Sequence, residues 1–167
     1  TVTSSEKYFQ VFMNQSSFEL YVGKTFQLAP YTSVSDIKPT FTYTTGNASI
    51  ATVDQNGLVT AKAPGVVYIT ATAPNGQYAS SKVTVKNAEI MYITITGSDT
   101  NRNLGDSGRL TAVTEPAEIT GDKSITWTST KPEVVTVDQN GNFQCVGQGE
   151  CTIFAEAKNG VYGSLKF

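Results

Sequence analysis

Two aspartates, Asp54 and Asp138, occupy the same five-residue setting, VDQNG, once at 53–57 and again at 137–141. A carboxylate beside Asn and Gly in a short loop is the raw material of a calcium site. Such a site needs further oxygen ligands at close spacing, as in D-x-D-x-D-G. Here Gln55 and Gln139 follow the aspartates, and apolar Val53 and Val137 precede them. A turn accounts for the same residues without an ion. Asn56-Gly57 and Asn140-Gly141 suit the two positive-φ positions of a type I′ hairpin turn, and Asp54 and Asp138 can accept backbone amides two residues on. The six residues are therefore expected to be structural turn residues, with no metal and no cofactor.

Other chemistry is limited by what the chain lacks. Histidine is absent, which removes Ser-His-Asp and Cys-His arrangements, imidazole metal ligands and any side chain that titrates unperturbed near neutrality. Carboxylates remain for acid/base work, but most stand in turn-like settings such as Thr-Gly-Asp122-Lys. No catalytic set emerges, and the chain is expected not to be an enzyme.

Composition narrows the partners. The 167 residues are 39% hydrophobic and 16% charged, and 12 basic against 14 acidic residues leave a formal charge of -2. That content builds ordinary globular cores. No basic field is available to hold nucleic acid or an anionic membrane surface. No apolar run approaches the roughly 18 residues of a membrane span, so direct insertion is not expected. The opening TVTSSEKYFQ lacks the basic-then-apolar order of a signal peptide and starts at Thr, which fits a piece of a longer or processed protein.

The elements that position the two aspartates are repeated along with them. Subtracting positions gives a constant offset of 84 from Tyr43 to Trp127, Val53 to Val137, Gly65 to Gly149 and Gly76 to Gly160. Upstream, Gly23 in YVGKTFQL answers Gly105 in NLGDSGRL at an offset of 82. The second copy therefore holds two extra residues between Leu110 and Trp127. A module of about 80 residues is present twice. Within it, VVYITATA sets Val67, Ile69 and Ala71 against Tyr68, Thr70 and Thr72, which is period two rather than 3.6. Val, Ile, Thr, Tyr and Phe dominate these runs, and Asn-Gly and Pro-Gly pairs punctuate them about every ten residues. Each copy is predicted to form about seven short strands in an all-β sandwich.

With these motifs in order, the chain resembles the bacterial immunoglobulin-like domain, group 2, found in invasin- and intimin-type adhesins, other bacterial surface proteins and tailed-phage virion proteins. The first copy carries the pattern as Val22-Gly23, Phe26-Gln27-Leu28-Ala29, Ile50-Ala51-Thr52-Val53-Asp54, Gly57, Val59-Thr60-Ala61, Gly65 and Ile69-Thr70-Ala71. The second carries it as Leu104-Gly105, Leu110-Thr111-Ala112, Trp127-Thr128-Ser129, Val135-Thr136-Val137-Asp138, Gly141, Gly149 and Thr152-Ile153. Two departures stand out: Tyr43 replaces the usual core tryptophan of the first copy, and the second copy ends at Phe167. The resemblance implies two tandem immunoglobulin-like sandwiches, at 1–87 and 88–167.

Several side chains remain to be assigned. Trp127 and Tyr43 alternate with Ile125 and Phe41, which places all four on an inward strand face. Cys145 and Cys151 correspond to Ala61 and Val67 of the first copy, inward positions flanking the Gly-Gln-Gly turn. A disulfide between them would stabilise by about 2 kcal/mol; the alternative is a pair of buried thiols acting as small apolar groups. A loop over 30–39, PYTSVSDIKP, offers Tyr31 and Ile37 as possible contacts, unless Ile37 and its counterpart Ile119 close over their own sandwiches. Residues 8–12 are aromatic on both faces and suit a first strand with an outer partner.

No flexible Gly/Ser tract separates SKVTVK from EIMYITITG, so a stiff two-domain rod is expected. The resemblance then implies a non-catalytic adhesion or spacer module on a bacterial cell surface. Its partners would be a protein or glycan on a cell surface and neighbouring immunoglobulin-like domains, with no nucleic acid. A decoration or tail domain of a phage virion and an accessory module of a larger extracellular enzyme are the alternatives.

Overall fold

Every regular element among the described residues is a β-strand, as alternating Val, Ile, Thr and Tyr runs dictate. The computed structural model describes residues 8–97 and 102–167. These divide into two compact units, one ending at Asn87 and the other beginning at Ala88.

The first unit contains β1 (Val11–Phe12), β2 (Ser17–Tyr21), β3 (Thr25–Gln27), β4 (Tyr31–Thr32), β5 (Thr42–Thr45), β6 (Ala51–Val53), β7 (Leu58–Ala61), β8 (Gly65–Thr72) and β9 (Tyr78–Lys86). A four-stranded sheet runs β2-β9-β8-β5 and a three-stranded sheet β3-β7-β6, with β1 and β4 paired separately. The β2–β9 ladder is parallel, from Ser17↔Lys82 to Tyr21↔Lys86; the other ladders of this unit are antiparallel. Inward residues Val67, Ile69, Val83 and Val85 of one sheet meet Ala51, Val59 and Ala61 of the other in one core. Burying each such Val or Ile side chain stabilises by roughly 1.5–3 kcal/mol.

Nine strands fill the place of the expected seven because two strands are broken. The first breaks between Phe12 and Ser17, where buried Ser81 donates its hydroxyl to the Gln15 carbonyl. The second breaks between Gln27 and Tyr31. There the Ala29 N–H donates to Asn14 Oδ1 at 2.9 Å, and Pro30 has no N–H with which to extend a ladder. Each break lets one segment serve two sheets.

The second unit repeats the plan with β10 (Tyr92–Thr96), β11 (Ser107–Arg109), β12 (Thr111–Glu115), β13 (Ile125–Ser129), β14 (Val135–Val137), β15 (Asn142–Cys145), β16 (Thr152–Ala157) and β17 (Tyr162–Lys166). Its sheets are β11-β15-β14 and β13-β16-β17, with β10 paired to β12. Trp127, Phe143, Ile153, Ala155 and Leu110 lie in the core between them. The break between β11 and β12 falls at Leu110, whose N–H turns to the Gly141 carbonyl at 2.8 Å.

Candidate functional site

The two VDQNG turns share one set of bonds from backbone amides to the aspartate. Asp54 Oδ1 accepts the N–H of Asn56 at 2.8 Å and of Leu58 at 2.9 Å; Asp138 Oδ1 accepts Asn140 and Asn142 at the same two distances. The carbonyl of each aspartate also accepts the N–H of the turn glycine, Gly57 at 3.1 Å and Gly141 at 3.0 Å. The expected type I′ turn is corrected here. Only Gly57 and Gly141 have positive φ, both at 81°, and no described non-glycine residue does. The loop is instead three residues long, with a four-residue turn beginning at the Asp and a glycine in the left-handed region closing it as a bulge. Asn therefore keeps an ordinary φ, because the longer loop needs only one left-handed residue.

Each turn glycine also lies against the aromatic ring of its own unit. A Cβ on Gly57 would come within 2.7 Å of Tyr43 Cζ; on Gly141 it would strike the Leu110 carbonyl and come within 3.2 Å of Trp127 Cζ2. The turn thus seals the ring into the sandwich. Burial, and secondarily the charge of Asp54, pushes the Tyr43 hydroxyl above its ordinary value. Trp127 is only 7% exposed, and both oxygen and nitrogen of the Gln139 amide bond its backbone, at 3.2 and 3.1 Å. Asp138 is held below the ordinary carboxylate value, first by the Asn142 side chain at 2.8 Å and then by backbone amides. The hydrogen bonds that the two carboxylates accept come from donors of the turn itself, which is the arrangement of a structural turn. Among the described residues no group of three or more His, Cys, Asp or Glu gathers to hold a metal.

Cys145 and Cys151 are both buried, and the structure holds them as free thiols. Cys145 ends β15 opposite Val135, while the Cys151 sulfur sits 3.1 Å from the Ser129 hydroxyl. Burial pushes the Cys145 thiol up, and the charge of Asp106 adds to that shift.

The loop expected to carry contacts and its counterpart in the second unit differ. Ile119 is 5% exposed and belongs to the core of its unit. Ile37 stays half-buried against a small cluster of Phe9, Val11 and Ala73, and its other side lines a groove of about 520 Å³ with Pro30, Tyr31, Lys38, Pro39 and Phe41. Tyr31 is 55% exposed and stacks on Phe12, ring centres 5.5 Å apart and planes 25° from parallel. Thr32 fixes the loop from below, its hydroxyl lying 2.6 Å from the Val34 carbonyl and 2.9 Å from that of Ile37. Sequence reasoning picked out Tyr31 and Ile37 but missed the rest of the groove. The two prolines bracketing the loop were the available signal.

A matching tether closes the same end of each unit. The Asn75 amide donates to the Phe9 carbonyl at 3.5 Å, and the Asn159 amide donates to the Ile90 carbonyl at 2.8 Å. Each oxygen accepts the amide two residues on, Gln77 at 3.1 Å and Val161 at 3.3 Å. The Asn-Gly pairs at 75–76 and 159–160 thus hold the incoming chain as well as turn it.

Comparison with known proteins places these features. The family described as bacterial Ig-like domain (group 2) matches residues 10–86 and again 89–164. An uncharacterized protein of Clostridium acetobutylicum is 32% identical over 120 residues, which is 71% of this chain and 12% of that protein. The lacto-N-biosidase of Bifidobacterium bifidum is 39% identical over 69 residues, 41% of this chain and 6% of the enzyme. This chain thus spans a small part of the curated relatives it matches. Among solved structures, domains 4 and 5 of the S-layer protein SbsC share 16% identity at a TM-score of 0.44, covering 94% of this chain and 96% of that one. An intimin mutant of EHEC O157:H7 shares 22% identity at a TM-score of 0.40, covering 51% of this chain and 54% of that one.

Proposed function

This chain belongs to the bacterial Ig-like domain family, group 2, and from that premise we propose that it is a non-catalytic adhesion or spacer module of a bacterial surface protein. The observation that carries the proposal is the tandem match itself, two family units in succession over residues 10–86 and 89–164. A module repeated along the chain suits reach rather than chemistry, because each copy adds another folded unit. The join Val85-Lys86-Asn87-Ala88-Glu89-Ile90 has no Gly/Ser tract, which suits a spacer that presents a neighbouring domain or contributes to binding a protein or glycan. The place of action is the outside of the bacterial cell. The turn aspartates, the aromatic rings and the two cysteines all serve the fold.

A second reading has one observation in its favour. The match to the lacto-N-biosidase covers 6% of that enzyme, so a unit of this kind also fits an accessory module of a larger extracellular enzyme. The decoration of a phage virion remains the third context.

The test is accessibility. Antibodies raised against the two-unit chain should label intact cells of the source organism, and brief protease treatment of those cells should remove the label without lysis. Labelling only after lysis refutes surface display. Co-purification with a glycosidase activity encoded in the same polypeptide favours the accessory-module reading.

A further inference from the structure

The groove of the first unit is a feature that neither the turns nor the sandwich explains. The geometry points to a binding site for an acidic sugar residue, a hexuronic acid within a surface polysaccharide. The inference draws its ligand class from the surface reading and its geometry from this unit alone.

Size is the first support. About 520 Å³ lies within the roughly 300–1,000 Å³ of small-ligand sites, which combine apolar walls with a few placed polar groups. The walls are Pro30, Tyr31, Ile37, Pro39 and Phe41. A pyranose ring presents one face of C–H groups and a rim of hydroxyls, so it needs a rigid apolar platform with polar atoms at the edge. Tyr31 is braced by its stacking on Phe12, and the Thr32 hydroxyl ties the loop to the Val34 and Ile37 carbonyls. Such bracing lowers the ordering cost of binding.

Charge selects among sugars. Lys38 lines the groove and has no ion-pair partner among the described residues, in a chain whose formal charge is -2. Besides Lys38 the groove holds the hydroxyls of Tyr31, Thr32 and Ser35; that of Thr32 is bonded inside the loop, and that of Ser35 makes a long 3.4 Å bond to the Asp36 carboxylate. A cation beside apolar walls is complemented by a ligand that carries one carboxylate on an otherwise amphipathic ring. The second unit supplies an internal contrast: at the equivalent place Ile119 is buried in its own core, so the open groove is a property of the first copy's loop.

The experiment is a titration of the whole two-unit chain, isotope-labelled, with methyl glucuronide, followed by amide and side-chain NMR shifts. Methyl glucoside serves as the matched neutral ring and N-acetylglutamate as the carboxylate without a ring. The expected result is shifts at Tyr31, Ile37 and Lys38 with the glucuronide, bound about two- to five-fold more tightly than the glucoside, as an exposed ion pair allows. Lys38→Gln should erase that preference while leaving glucoside binding in place, and Tyr31→Ala should abolish both. Absence of shifts at the groove overturns the site; equal affinity for glucoside and glucuronide overturns the acidic class; N-acetylglutamate binding as well as the glucuronide overturns the sugar. Because Lys38 is an exposed loop residue, Lys38→Gln reads the outcome even where Tyr31→Ala disturbs the loop. Surface labelling with a silent groove refutes this inference alone, and a responsive groove on an unlabelled cell refutes surface display alone.

Discussion

Substituting glycine by alanine at two turns of the second unit separates backbone strain from packing. Gly160 and Gly141 have nearly the same conformation, φ of 85° and 81°. Around Gly160 an added Cβ meets nothing within 4 Å, whereas at Gly141 it strikes the Leu110 carbonyl and crowds Trp127 at 3.2 Å. Placing an L residue in the left-handed region costs about 1–2 kcal/mol, so Gly160→Ala should destabilise by about that amount. Gly141→Ala carries the same cost plus overpacking against a backbone atom that has nowhere to go, typically about 1–3 kcal/mol more. The chain has one tryptophan and it is in the second unit's core, so urea unfolding followed by Trp127 fluorescence reads this unit directly. The gap between the variants should appear as a lower urea midpoint for Gly141→Ala with an unchanged slope. In a thermal scan it should appear as at least about 4 °C of further Tm loss for a domain of this size. A gap below about 0.5 kcal/mol would falsify the claim that the turn is packed onto the ring.

Three further outcomes follow from the same structure. Ile153→Ala should lower the stability reported by Trp127 by about 2–5 kcal/mol, since Ile153 is fully buried. Ile69→Ala in the first core should leave that transition where it was; coupled loss would refute two independently folding units. Asp122 is held down to about 2, first by the Ser124 side chain, then by the Ser124 backbone amide, and then by Lys158 at 3.3 Å. Its carboxylate therefore contributes stability at neutral pH that is lost as pH falls from the ordinary carboxylate range, near 4, towards 2. NMR should place its titration near pH 2, and Lys158→Gln should move it upward. The buried thiols should resist iodoacetamide at pH 8 while folded and react once urea is added, Cys145 being disfavoured as thiolate by burial. Protein recovered from its source that still resists in urea until reduced would overturn the free-thiol state and carry a Cys145–Cys151 disulfide.

The duplication, the all-β class and the inward faces are legible in the order of residues alone. The reason is that strand period and repeat offset are properties of consecutive residues: Val67, Ile69 and Ala71 alternate in the letters as they do in the core. The aspartate-to-amide bonds of the turns were legible for the same reason, since donor and acceptor are two residues apart. Tertiary structure decided what depends on distant strands. Whether Asn-Gly makes a two-residue or a three-residue loop rests on how the flanking strands register, and the ladder leaves only glycine in the left-handed region. That the same glycine must also clear Tyr43 or Trp127 became visible only when β5 and β13 were packed beneath the turns. The contrast between Ile37 and Ile119 is of the same kind. Two loops of similar composition differ because one isoleucine meets a large core and the other meets a small cluster of Phe9, Val11 and Ala73, and the space left over is the groove.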